Sequence, residues 1–248
     1  MNFEDATAIA HAFVREHYPH AQAAIIGGSF ANGINTPSSD IDLLLLFEQV
    51  EHAWRSTLTE QGQVIELYVH DRTTFDYFCR QVDRPQGRIP LAMMVIEGKN
   101  ILPANQAHAS LLALANEIHA AGPPFLDGEE LELRRYEITT LLEDLIDSSN
   151  QYEALAVAAR LYQSLADLQV RRRDAWSGQG KHLFRRLHKC DPNAAARLDQ
   201  ALRLVATDYN EGKALFSFVV HDALKPVGGP LLAGFALHAP SHWRSVPM

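Results

Sequence analysis

Apolar residues recur every three to four positions over residues 3–18. Asn2 stands ahead of them as an N-cap, acids fill the first turn and Pro19 follows as a stop, so the spacing predicts a helix. The period then shortens. Residues 23–26, 40–47 and 64–69 are apolar or β-branched runs bounded by turn residues, and they predict strands. From Leu43 to Phe47 the run is almost unbroken, which suits a strand buried on both faces. A helix is predicted over 73–82, with Phe75, Phe78 and Cys79 on one face, and another over 90–96. Residues 98–102 read as a turn into a short last strand, and 105–120 as a helix ending before Gly122.

Gly122-Pro123-Pro124 divides the pattern. Beyond it, residues 129–148, 151–176, 193–209 and 211–224 repeat apolar positions at helical spacing, with Asp191-Pro192-Asn193 as a stop and restart. Lys225-Pro226 ends the last helix, and the Pro- and His-rich tail, with His238 and His242, has no assigned element. The expected fold is therefore α+β (α/β-like) over 1–122, a small mixed sheet backed by helices, followed by an all-α helical bundle over 125–248.

Two polar interruptions of the apolar strands carry chemistry. Ile25-Ile26-Gly27-Gly28-Ser29-Phe30 is a short strand running into a glycine-serine turn. Glycines without a Cβ let backbone approach a ligand, and N–H groups at a following helix start, with the Ser29 hydroxyl, form an anion site. Ser39-Asp40-Ile41-Asp42-Leu43 then sets two carboxylates one residue apart, so that on a strand both project to one face. Their repulsion is tolerable with a cation between them, and carboxylate oxygens suit Mg²⁺, which takes further ligands from substrate phosphates. A phosphate cradle beside a metal-binding pair points to nucleoside triphosphate chemistry. Either piece alone is a weak motif, common as a plain turn or an acidic strand end.

Gly28-Ser29, ten residues, then Asp40-x-Asp42 resembles the signature of the polymerase-beta-type nucleotidyltransferases. The extended stretches Gly28-Ser29-Phe30-Ala31-Asn32-Gly33 and Ser38-Ser39-Asp40-Ile41-Asp42-Leu43 resemble their small bacterial branch. That branch includes the aminoglycoside (kanamycin-type) enzymes and the minimal enzymes of toxin–antitoxin operons. The specific resemblance spans roughly residues 20–72, and Asn32 stands where many members have Arg. It implies that Gly28, Ser29 and Ser39 contact a triphosphate, with ATP as the default donor. It implies two Mg²⁺ ions, with Asp40 and Asp42 as metal ligands and catalytic residues, and a third carboxylate on the next strand. Glu66, alone in an apolar run, is the candidate. Either it completes the second metal site or helps deprotonate the acceptor, or it faces water on an edge strand. His70 lies on the same face by periodicity and either bonds Glu66 or simply ends the strand.

Composition excludes other classes. No stretch approaches the ~20 apolar residues of a membrane span. The first residues carry Glu4 and Asp5 rather than a basic-then-apolar leader, and the two cysteines, Cys79 and Cys190, lack metal-ligand spacing; both fit a reducing cytoplasm. A net charge of −8 argues against a long nucleic-acid partner.

The helical half holds the acceptor-side candidates. In the aminoglycoside enzymes a helical Glu acts as base, and Glu143 or Asp144 is the best local match; a solvated helix face is the plain alternative. Arg171-Arg172-Arg173 and the loop to Lys181 concentrate positive charge. Lys181 is a candidate phosphate contact in place of the Arg absent at 32, while helix C-termini attract arginines for dipole reasons alone. The resemblance thus implies a catalytic domain over 1–122 and a substrate-binding domain over 125–248. The expected reaction moves a nucleoside monophosphate to a hydroxyl of a small molecule, an aminoglycoside-like antibiotic among the acceptors, with pyrophosphate release. Some resembling enzymes share the site across a homodimer. The alternatives are AMP transfer to a protein, as in toxin–antitoxin modules, and a non-catalytic nucleotide-binding module.

Overall fold

Asn2 caps the first helix as its sequence demands. Its side chain accepts from Asp5 N, and Asp5 accepts in return from Asn2 N. The computed structural model describes residues 1–126 and 128–239, and divides into two compact units, Met1–Gly122 and Pro123–Met248.

The first unit runs α1 (Phe3–His17), β1 (Ala23–Ile26), α2 (Gly28–Ala31), β2 (Ile41–Leu46), β3 (Trp54–Glu60), β4 (Gln63–His70), α3 (Arg72–Tyr77), α4 (Pro90–Glu97), β5 (Lys99–Asn100) and α5 (Gln106–Ala120). The five strands form one mixed sheet in the order β3-β4-β2-β1-β5. β2 and β4 pair in parallel, and every other pairing is antiparallel.

Strand periodicity sorts the sheet into two faces. Ala24, Ile26, Ile41, Leu43, Leu45, Ile65, Leu67 and Val69 join Ala6, Ala10, Phe13 and Val14 of α1 in one buried cluster. The opposite face carries Asp42, Leu44 and Leu46 on β2 against Glu66, Tyr68 and His70 on β4, position for position. Its apolar end is covered. His70 meets Phe75 and Phe78 edge-on, with ring centroids 6.3 and 5.4 Å away. At Gly27 a Cβ would lie 3.0 Å from Met94 Cγ of α4. The polar end, at the N-terminal halves of β2 and β4, holds the carboxylates.

Two local outcomes in this unit differ from the sequence expectation. The helix expected over 73–82 is α for its first part only; Phe78–Asp83 continues as a π-helix. β3 was not expected; it is an edge strand that exposes Arg55, Thr57 and Thr59 and half-buries Trp54, Ser56 and Leu58. It joins β4 through Gln61 and Gly62, both at positive φ.

The second unit contains α6 (Gly128–Asp147), α7 (Gln151–Arg171), α8 (Lys181–Cys190), α9 (Pro192–Thr207) and α10 (Tyr209–Leu224) around one apolar core. α8 was also unexpected: it buries only Leu183 and Leu187, one turn apart. α7 ends at Arg171, short of the expected 176, and the chain turns through Asp174 at φ 52°. After α10 the chain follows α6: Arg135 donates to the Gly228 and Gly229 carbonyls, and Phe235 stacks on Tyr136 at 4.1 Å. His242 lies outside the described residues. No helix among them is long and apolar enough to cross a membrane.

Candidate active site

The turn after β1 is built against β2. Gly27 N donates to Asp42 O at 2.9 Å, closing the strand pair just before α2 begins. Gly28 follows at φ +61°, a conformation that L side chains rarely adopt. A Cβ there would lie 1.7 Å from Asp42 Oδ2. Glycine thus opens the cleft between the turn and the carboxylate. Ser29 sits half-buried beside it, and its carbonyl accepts from Ile34 N at 3.0 Å. Asn32 does not replace the missing cation. It donates Nδ2 to Gly28 O at 2.9 Å and so closes α2 on itself.

Asp40 is placed by a second turn. Ser39 Oγ accepts from Thr36 N at 2.8 Å, and Gln63 Nε2 donates to Ser39 O at 2.7 Å. Ser39 therefore spends its polar groups on the loop, and Gln63 ties that loop to the start of β4. Asp40 is half-buried, one residue before β2.

Glu66 lies beside Asp42, its register partner on the parallel strand. Both of its carboxylate oxygens are engaged: Arg55 Nη2 donates to Oε1 at 2.8 Å and the Tyr68 hydroxyl to Oε2 at 2.9 Å. Arg55 also lies over the Tyr68 ring, 5.1 Å from its centroid. The hydrogen bond to Glu66, the largest effect, holds the Arg55 guanidinium above its ordinary range, and the fields of Tyr68, Glu66 and Asp42 add to it. Burial, then the Glu66 bond, pushes the Tyr68 phenol up as well, so it stays a donor. His70 bonds away from Glu66, to Thr74 Oγ1 at 3.3 Å, and burial lowers it to about 4.

The donor set can be tested against a divalent cation. Asp40 and Asp42 supply hard oxygen ligands beside a cleft that a Cβ would fill, which fits Mg²⁺ completed by phosphate oxygens. Glu66 differs from them in being bonded, through both oxygens, by Arg55 and Tyr68. Among the described residues no group of three or more His, Cys, Asp and Glu is arranged to hold a metal ion.

Residues 10–86 match the family model of the nucleotidyltransferase domain. This is a nucleotidyltransferase domain. The chain is accordingly an enzyme of nucleotidyl transfer, and the matched segment contains the Gly28 turn, Asp40, Asp42, Arg55 and Glu66. Among solved structures, a nucleotidyltransferase-like protein from Exiguobacterium sibiricum 255-15 is 14% identical, over 89% of this chain and 78% of that one, with a TM-score of 0.43. No curated protein matches.

The remaining candidates lie outside the nucleotidyltransferase domain, in the helical unit. Glu143 and Asp144 are neighbouring exposed residues of α6, and Lys181 is the exposed first residue of α8. The arginine triplet forms no free basic patch. Arg171 is buried and donates to Pro124 O, Arg172 donates to Ala223 O, and Arg173 bonds Gln169 O and Asp191. An open groove of about 570 Å³ between α9 and α10 is lined by Leu204, Leu215 and Phe218 with Gln200, Asn210 and Glu211; it contains none of the predicted residues. The sequence reading missed Arg55. Alternating half-apolar positions from Trp54 to Leu58, then Gln61-Gly62 as a hairpin turn, were the available signal.

Proposed function

We propose that the enzyme transfers a nucleoside monophosphate, AMP from ATP, to a hydroxyl of a small molecule of the aminoglycoside kind and releases pyrophosphate. The observation that carries this reading is the approach of the Gly28 turn to the Asp42 carboxylate within the matched domain. Backbone at Gly28 and the Ser29 hydroxyl bind the triphosphate. Asp40 and Asp42 would hold Mg²⁺, one ion or two, together with phosphate oxygens. Bound there, Mg²⁺ would neutralise triphosphate charge and make the α-phosphorus a better electrophile.

The acceptor oxygen attacks the α-phosphorus. A new P–O bond forms as the bond to the β-phosphate bridging oxygen breaks, pyrophosphate leaves, and the acceptor proton passes to a carboxylate base. Glu143 or Asp144 takes that role in this reading, with the helical unit as the acceptor-binding domain and Lys181 as a phosphate contact. The protein's main contribution is positioning and fixed charge.

Pyrophosphate release with ATP and Mg²⁺ across aminoglycosides, lincosamides and other hydroxylated metabolites tests the proposal, with α-labelled ATP reporting where the nucleotide goes. Label on a small molecule is expected. Label only on protein replaces the acceptor assignment with protein modification, and no release with any acceptor overturns the reading.

A further inference from the structure

Three carboxylates and a triphosphate leave the polar end of the sheet with a large excess of negative charge. The strands carry two Lys or Arg residues, Arg55 and Lys99. Lys99 pairs with Ile26, on the face against α1, and its ammonium lies 4.4 Å from the Phe3 ring centroid. Arg55 is thus the strands' one Lys or Arg on the carboxylate face. It is also held there. Arg55 pairs directly with Tyr68 across the β3–β4 ladder and reaches diagonally to Glu66, while Tyr68 bonds the other Glu66 oxygen. Each of the three side chains fixes the other two. The Arg55 side chain remains 58% exposed while Glu66 is 21% exposed, so the cation is presented and the anion is tucked behind it.

We propose that Glu66 serves as the anchor of Arg55 rather than as a metal ligand, and that the anchored guanidinium binds the phosphates of the donor nucleotide. This rests on the nucleotidyl-transfer reading. It moves the missing cation from the glycine turn, where Asn32 only closes its own helix, to the edge strand. Arg55 keeps further N–H donors beyond the one given to Glu66, and a guanidinium's fork matches phosphate oxygens. Asp40 and Asp42 remain as the protein's metal ligands.

The test uses the full chain, Mn²⁺ and an ATP analogue with a methylene bridge between the α- and β-phosphorus, so that nothing turns over. Free Mn²⁺ is followed by electron paramagnetic resonance and nucleotide binding by calorimetry, with circular dichroism confirming that each variant is folded. Glu66→Gln is expected to keep Mn²⁺ affinity within about twofold, because Glu66 is then no ligand and its charge is already balanced by the Arg55 guanidinium. Arg55→Ala is expected to weaken the triphosphate analogue by roughly ten- to a hundredfold, the range of one charge-assisted contact, while AMP binding changes little. Arg55→Lys should restore part of the loss, since it keeps the charge without the fork. Loss of Mn²⁺ binding in Glu66→Gln, or unchanged triphosphate affinity in Arg55→Ala, overturns the proposal and leaves nucleotidyl transfer standing. Failure of the folded wild type to bind the Mn²⁺–nucleotide pair overturns both.

Discussion

A Cβ added to Gly28 would lie 1.7 Å from Asp42 Oδ2, far inside van der Waals contact. The turn and the carboxylate therefore define one another, and the position is doubly demanding because Gly28 has φ +61°. Gly28→Ala is expected to push the turn away from β2. Strain of this kind costs about 1–3 kcal/mol, so the denaturation midpoint should fall modestly. Pyrophosphate release should fall much further, by roughly a hundredfold or more, because a displacement of about 1 Å at the reacting centre costs that much. Near-normal turnover in this variant would show that the turn does not hold the donor.

Asp42→Asn keeps the side chain's shape and removes its charge. Asp42 is half-buried on β2 beside Glu66, so the fold should persist. Transfer from labelled ATP should be lost, and added Mg²⁺ should not restore it, since an amide is a poor ligand for a hard cation. Wild-type transfer by this variant would remove Asp42 from the site.

Gln63 offers a subtler probe, because it is itself no expected metal ligand or phosphate contact. Its Nε2 donates to Ser39 O at 2.7 Å and so fixes the loop leading into Asp40. Gln63→Met keeps the length and loses the donor. One such bond is worth about 1 kcal/mol net, so stability should change little. If the bond orients Asp40, kcat/KM should drop about three- to tenfold, and the Mg²⁺ concentration for half-maximal rate should rise. An unchanged metal dependence would leave the bond a purely structural tie.

Much of this site was legible because its parts depend on local rules. The Asn2–Asp5 cap, the glycine turn and the alternation that sets Asp42 against the core are properties of short segments. So was Glu66, a lone charge within a β-branched run. Arg55 was not, because β3 is an edge strand that half-buries one face and exposes the other, leaving no apolar run. α8 escaped for a similar reason, with two buried leucines among polar residues. The arginine triplet failed differently. Sequence showed concentrated positive charge at a helix end, but folding spends these arginines on backbone carbonyls and Asp191, a decision made by tertiary packing.

His70 and Asp83 set opposed pH dependences in the first unit. Burial lowers His70 from 6.5 to about 4, so between those values the unfolded chain holds a proton that the folded chain refuses. Stability from this group is full above pH 6.5 and lost as pH falls toward 4. Burial raises Asp83 from 3.8 to about 6, so its contribution is full below 3.8 and lost as pH rises toward 6. Over about pH 4–6 the two slopes largely cancel, each being about 1.4 kcal/mol per pH unit. His70→Gln should make the protein lose stability with rising pH across that window relative to wild type, and Asp83→Asn should do the reverse. Urea midpoints at pH 4.5 and 6 check both; parallel shifts in the two variants would contradict the assignment.

Arg171 carries the clearest stability prediction in the helical unit. It is 2% exposed, donates Nη2 to Pro124 O at 2.8 Å, and leaves Nε and Nη1 without a hydrogen-bond partner among the described residues. Burial and the nearby Arg134 both lower its affinity for a proton, so its charge is held at a cost. Arg134, by contrast, bonds both Asp167 and Glu130. Replacing a poorly satisfied buried charge by an apolar side chain of similar length is often neutral or stabilising by about 1–4 kcal/mol, whereas breaking a satisfied pair costs about 3–5 kcal/mol. Arg171→Met should therefore leave the denaturation midpoint unchanged or raise it, since the loss at the Pro124 carbonyl is offset by relief of two bare donors. Arg134→Met should lower it clearly, because Asp167 and Glu130 both lose their guanidinium partner. If Arg171→Met instead destabilises as much as Arg134→Met, the Nε and Nη1 donors are satisfied in solution by ordered water, and the guanidinium is a structural keystone of the second unit.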